Sequence, residues 1–238
     1  MCIRDSLCSI TELIAINQYG YGNSPPWSND QQMTLSDQAN AAFTILNQHQ
    51  PFHLVGHSHG ASIAAVFASM YPKYIKSLTL YEPNTFGVLD RTNEADNTAY
   101  QETLQAFQGA ISHNGSDEEL AERLLEYWIG SGAWIRTDER TKKQLIAFIP
   151  ATVHDVKAAM ESVVDLTPLR QLTSSVHIMY DPYTPQPALQ VTRRYIQLLP
   201  DAVISTFDHA THLGPITQAH IVNQAIIQHI NQLSNTNM

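Results

Sequence analysis

Phe52-His53-Leu54-Val55-Gly56-His57-Ser58-His59-Gly60-Ala61-Ser62-Ile63-Ala64-Ala65 changes character at its centre. Phe52 to Val55 reads as a short buried strand. From Ala61 on, the small residues Ala61, Ala64, Ala65 and Ala68 read as a closely packed helix that stops at Tyr71-Pro72. Between them, Gly56-x-Ser58-x-Gly60 has the form of a sharp strand-to-helix turn. Such a turn forces its central residue into a strained backbone conformation and stands its side chain clear of the sheet. The flanking positions must be small for the turn to close. Ser58 is therefore a candidate nucleophile. The start of the following helix places partial positive charge beside it, and the His59 backbone N–H is a candidate donor to a developing oxyanion.

Outward from this turn the pattern is strand, helix, strand. Leu78-Thr79-Leu80-Tyr81 is the next strand and ends on Glu82-Pro83. Short links within such a unit predict parallel strands. Leu13-Ile14-Ala15-Ile16 reads as an earlier buried strand leading to the turn Gly20-Tyr21-Gly22-Asn23-Ser24-Pro25-Pro26. Thr34 and Asp37 have capping-box spacing, opening a helix with Leu35, Ala39, Ala42, Phe43 and Leu46 on its apolar face. From Thr85 to Leu172 only helical patterns occur. Ser116 and Glu119 cap one helix carrying Leu120, Leu124, Leu125 and Trp128. Thr152 and Asp155 have the spacing to cap another, with Val153, Val156 and Met160 on one face. Strand patterns resume at Val176 to Tyr180 and Val203 to Phe207, with a helix from about Pro187 to Leu199 between them and a closing helix carrying Ile221, Ala225, Ile226 and Ile230. The expected architecture is an α/β fold with a mostly parallel, doubly wound sheet. Residues 7–84 and 173–238 form its core, and 85–172 an inserted all-helical cap.

A serine hydroxyl needs a base to attack near neutral pH. His212 is the best placed, in Asp208-His209-Ala210-Thr211-His212-Leu213-Gly214-Pro215, after the last strand and before the last helix. His209 is its rival. His53, His57, His59 and His177 lie on or beside strands, where packing or support of other groups is the simpler reading for most of them. Tyr19, Tyr21, Trp27, Trp128 and Trp134 are candidates for pocket walls, with Tyr21, Trp128 and Trp134 favoured. Packing is an equal reading for each.

These segments resemble the α/β-hydrolase superfamily with a helical cap, from Leu13 to the end of the chain. The resemblance rests on Gly20-Tyr21-Gly22-Asn23-Ser24, Gly56-His57-Ser58-His59-Gly60, Tyr81-Glu82-Pro83 and Thr211-His212-Leu213-Gly214-Pro215. It implies a nucleophile, acid, histidine order, a covalent acyl-enzyme route and an apolar pocket under the cap. The acid departs from the commonest pattern, because Thr184 falls at the usual position. Glu82, at the end of the strand after the elbow helix, resembles the earlier placement found in some haloalkane dehalogenases. Asp181 is the alternative acid. The dehalogenase likeness ends at the nucleophile, which there is a carboxylate. The expected activity is cleavage of a small apolar ester or related acyl compound. The alternatives are carbon–carbon bond hydrolysis and a non-catalytic member of the same fold that binds or carries a small molecule.

Composition narrows the partners. The chain of 238 residues carries a net charge of −9 with no basic run, which disfavours nucleic acid. No stretch approaches the roughly 20 apolar residues of a membrane span. The two cysteines, Cys2 and Cys8, supply neither a disulfide framework nor a thiolate metal site. A small-molecule substrate and no metal or organic cofactor are expected. Met1-Cys2-Ile3-Arg4-Asp5-Ser6 resembles the translation of a transposase-end adaptor used in sequencing libraries and is set aside from the fold. On that reading the natural protein begins upstream, and the opening strands and the second oxyanion donor lie there. Residues 1–6 are then expected to pack against nothing.

Overall fold

The computed structural model describes residues 7–8, 12–28, 31–47, 51–112 and 114–236. Residues 1–6 lie outside it, so their expected lack of packing has no counterpart here. The elements are α1 (Leu35–Leu46), β1 (Phe52–His57), α2 (His59–Met70), β2 (Ile75–Tyr81), α3 (Glu94–Ser112), α4 (Asp117–Ile129), α5 (Glu139–Glu161), β3 (Ser175–Tyr180), α6 (Gln186–Leu198), β4 (Val203–Thr206) and α7 (Ala219–Thr236). One-turn helices occur at Ala133–Arg136 and Gly214–Thr217.

The four strands form one parallel sheet in the order β1-β2-β3-β4. Alternation along each strand divides its side chains between two faces. Leu54, Leu78, Leu80, Val176 and Ile178 join the main core with α2 and α6. Val55, Tyr81 and Met179 face Val222 and Ile226 of α7 on the other side. Parallel strands need crossovers, and α2 and α6 supply two of them. All described elements between β2 and β3 are helical. This helical segment is tied to α6 through buried Asp96, which accepts from Arg194 at 2.6 Å and Gln190 at 2.7 Å.

Local signals account for several boundaries. Thr34 and Asp37 close a capping box on α1, and Ser116 and Glu119 close one on α4. Two expectations fail. Leu13 to Ile16 forms no strand, because among the described residues this segment makes no ladder bonds, and Ile14 is 42% exposed. An apolar run without a hydrogen-bonding neighbour has no ladder to join. Thr152 is not a helix start either. Helix α5 continues through Pro150, and the Thr152 hydroxyl donates to Phe148 O, one turn back. Asp155, spaced as a cap partner, reaches across the molecule instead, accepting from Tyr21 at 2.8 Å and Gln38 at 2.9 Å.

Candidate active site

Ser58 is the residue between β1 and α2, and its backbone sits at φ 54°, ψ −124°. A non-glycine residue rarely holds such a conformation, and the turn is enforced by close packing. A Cβ on Gly56 would stand 2.5 Å from both Ala61 Cα and Gly60 O. Gly60 is different, since a Cβ there meets only Gln18 Nε2 at 3.6 Å. The requirement for a small residue thus applies strictly to Gly56 and not to Gly60, where a Cβ would make an ordinary contact with a side chain.

The Ser58 hydroxyl lies 2.7 Å from His212 Nε2, and His212 Nδ1 lies 2.7 Å from Glu82 Oε2. A carboxylate on Nδ1 keeps the proton there and leaves Nε2 free to accept from the serine. His212 and Glu82 are both buried, 3% and 1% exposed, so their interaction is little screened by water. Glu82 is held in turn: Oε1 accepts from the Asp181 N–H at 2.8 Å and Oε2 from the Thr184 hydroxyl at 3.0 Å. The Asp181 carboxylate is directed elsewhere, accepting from the main-chain N–H groups of Tyr183 at 2.8 Å and Thr211 at 2.6 Å.

The loop bearing His212 is fixed from below. The Tyr81 hydroxyl donates to Thr211 O at 3.0 Å, and His57 Nε2 donates to His212 O at 2.7 Å. Burial pushes the His57 imidazole down to about 3, with the nearby His212 a second cause, so His57 is a neutral donor at ordinary pH. Gly214 is required because a Cβ there would strike the Tyr81 hydroxyl. Ser58, Glu82, His209 and Thr211 are the non-glycine residues at positive φ among the described ones. Strain is therefore concentrated on the turn at Ser58, the end of β2 and the loop bearing His212.

The remaining candidates divide. His209 is exposed and stacks on Tyr183, with ring centroids 4.4 Å apart. The Trp128 indole lies flat on the His212 ring, 3.7 Å between centroids and 16° between planes. Trp134 is buried in the main core, 7% exposed, with the Lys142 ammonium 5.4 Å from its ring. The Tyr21 hydroxyl bonds Asp155 and Thr152, and its ring meets Phe148. Trp27 and Tyr19 meet edge to face. The His59 N–H belongs to the first turn of α2, where helical amides lack an intrahelical acceptor. The His59 ring donates through Nε2 to Gln38 Oε1 at 2.7 Å, with Asp155 Oδ1 at 3.2 Å. Sequence reasoning did not single out the bracing by His57 and Tyr81, because neither pairing follows from spacing. The expected second oxyanion donor falls outside the described residues. Among the described residues no group of three or more His, Cys, Asp or Glu side chains is gathered to hold a metal ion, and no helix is long and apolar enough to cross a membrane.

A family profile described as alpha/beta hydrolase fold matches residues 9–131. The chain belongs to the α/β-hydrolase fold family. A curated relative is the probable lysophospholipase BODYGUARD 1 of Arabidopsis thaliana, 37% identical over 87 residues. The match takes in 35% of this chain and 18% of that protein, so the chain spans under a fifth of that relative. Two solved structures share the α/β-hydrolase fold. A thermophilic esterase from Thermogutta terrifontis has a TM-score of 0.70 at 18% identity, over 97% of this chain and 84% of that one. A meta-cleavage product hydrolase, CumD, has a TM-score of 0.71 at 17% identity, over 96% and 83%.

Proposed function

We propose that this chain is a serine hydrolase that cleaves a small apolar ester or related acyl compound. The observation that carries the reading is the continuous hydrogen-bond chain Ser58 Oγ, His212 Nε2, His212 Nδ1, Glu82 Oε2, with 2.7 Å at both serine–histidine and histidine–glutamate contacts. Ser58 Oγ attacks the acyl carbon while His212 Nε2 takes its proton, and the carbonyl electron pair moves to oxygen. The His59 N–H faces that oxyanion. The tetrahedral adduct collapses as His212 returns the proton to the leaving alkoxide, giving an acyl-Ser58 and an alcohol. Water, activated by the same base, then releases the acid.

Glu82 orients the imidazole and stabilises its cation without itself taking the proton. The helical segment between β2 and β3 acts as the cap. Its aromatic cluster of Phe107, Tyr127 and Trp128 beside the base supports an apolar substrate. The test is labelling by a fluorophosphonate together with turnover of aryl esters. Parent protein is expected to label, and Ser58→Ala to lose both the label and at least roughly 10³-fold in kcat. A Ser58→Ala protein that cleaves aryl esters at the parent rate overturns the proposal.

A further inference from the structure

We propose that Trp128 is a positioning residue for the base, so that the helical segment between β2 and β3 helps to hold His212 for catalysis. The inference rests on the hydrolase reading and extends it to a residue that otherwise passes for a pocket wall. Trp128 lies near the end of α4, in the helical segment, whereas His212 belongs to the sheet's own loop system. Their rings nevertheless lie in face-to-face contact, 3.7 Å between centroids at 16°.

The hydrogen bonds to His212 act in or near the plane of its ring or on its backbone. Glu82 holds Nδ1, Ser58 meets Nε2, and His57 binds the main-chain carbonyl. None of these bonds resists rocking of the imidazole out of its plane. Trp128 closes that direction on one side. The His57 ring is a second ring contact of His212, 5.0 Å between centroids and tilted at 47° rather than stacked. The indole is itself backed by Tyr127 at 4.8 Å and Phe107 at 6.3 Å, so it is a supported surface.

The stack also bears on the proton transfer. When the Ser58 proton passes to Nε2, the neutral ring becomes a cation lying against the face of an indole. Tryptophan is the aromatic side chain that best stabilises a cation over its face, and the effect grows when the pair is out of water. The carboxylate of Glu82 and the π face of Trp128 then act on the same imidazolium from perpendicular directions. A pocket wall, by contrast, would act on the bound acyl group and change with its size.

Trp128→Leu and Trp128→Phe, assayed on acetyl and hexanoyl aryl esters, separate these roles. Trp128→Leu is expected to lower kcat about 10- to 30-fold, the size of one lost cation–π contact, equally for both esters and with KM within about twofold. Trp128→Phe, which keeps a ring over the base, is expected to recover most of the rate. A second readout does not need turnover. In Trp27→Phe/Trp134→Phe protein, Trp128 is the sole indole, and its emission reports what lies against its face. His212→Asn, which removes the stacked imidazole, is expected to shift that emission.

Labelled parent protein with kcat unchanged in Trp128→Leu overturns the role of Trp128 alone. So does an effect confined to KM or to one acyl length, or a Phe variant as slow as the Leu variant. Parent protein that fluorophosphonate leaves unlabelled, with the emission shift of His212→Asn intact, overturns the hydrolase reading first. The stack is then a packing contact.

Discussion

Thr184 donates its hydroxyl to the same oxygen of Glu82 that faces the base. Thr184 Oγ1 lies 3.0 Å from Glu82 Oε2, which lies 2.7 Å from His212 Nδ1. The resemblance puts the usual acid at position 184, and on the proposed reading that position supports Glu82 as the acid instead of supplying one. Glu82→Gln keeps the shape and removes the charge, and its amide nitrogen tends to force the wrong imidazole tautomer. A loss of roughly 10³- to 10⁴-fold in kcat is expected, with little change in melting temperature. Adding Thr184→Asp to Glu82→Gln returns a carboxylate within reach and is expected to recover part of that loss. Steady-state aryl-ester kinetics on the two variants checks both statements.

Asp181 carries a different burden. Its carboxylate accepts from the N–H groups of Tyr183 and Thr211, and Thr211 sits at φ 60° directly before the base. Asp181→Asn keeps one oxygen acceptor. The expected cost is about 1–2 kcal/mol of stability, the usual penalty for an impaired charged hydrogen bond, with kcat down no more than about tenfold. Chemical denaturation alongside kinetics reads the two effects. An Asp181→Asn protein slower than Glu82→Gln would exchange the roles assigned to these two carboxylates.

The glycines flanking Ser58 differ in the same testable way. Gly56→Ala puts a methyl group 2.5 Å from the backbone of α2, which cannot yield locally. That variant is expected to fold poorly or to lose activity altogether. Gly60→Ala places its methyl 3.6 Å from a flexible glutamine side chain inside a helix. It is expected to be neutral or to gain about 0.4–1 kcal/mol, because alanine has less backbone freedom to lose. Thermal melts of the two variants, with fluorophosphonate labelling, check the contrast.

The elbow was legible because its reasons are local. A strand, a tight turn and a small-residue helix each leave a pattern within a dozen residues, and parallel pairing follows from the crossovers between them. The loop carrying His212 was legible for the same reason, as the segment after the last strand pattern. What stayed hidden depends on partners distant in sequence. Helix α5 runs through Pro150 where local chemistry suggested a new start. Its Asp155, spaced like a cap, is instead held by Tyr21, Gln38 and His59. Leu13 to Ile16 has the composition of a strand, yet composition cannot supply a neighbour. The choice between Glu82 and Asp181 turned on which carboxylate faces an imidazole on another loop. Trp128 reads from its spacing only as one apolar position on α4.

A last prediction concerns the face of the sheet beneath α7, which is polar to an unusual degree. His53 Nδ1 pairs with the Ser77 hydroxyl at 2.8 Å, and His177 Nε2 with Ser205 at 2.8 Å. His229 of α7 reaches Thr79 at 3.2 Å and Ser175 at 2.9 Å. All three imidazoles are held below the ordinary value of 6.5, His177 at about 4, and burial is the main cause in each. The rings of His177 and His229 are 5.0 Å apart, so charge on either disfavours charge on the other. The unfolded chain takes up protons near 6.5 that the folded chain refuses until lower pH, so acid favours unfolding. Stability is thus fully present above about 6.5 and is lost progressively as pH falls toward about 4. His177→Gln keeps a donor for Ser205 without a group that titrates. Parent protein is expected to lose melting temperature steadily between those limits, and His177→Gln to lose less, with the two nearly equal at pH 7.5. Equal slopes in the two proteins would remove His177 as a source of the acid sensitivity and leave it to His53 and His229.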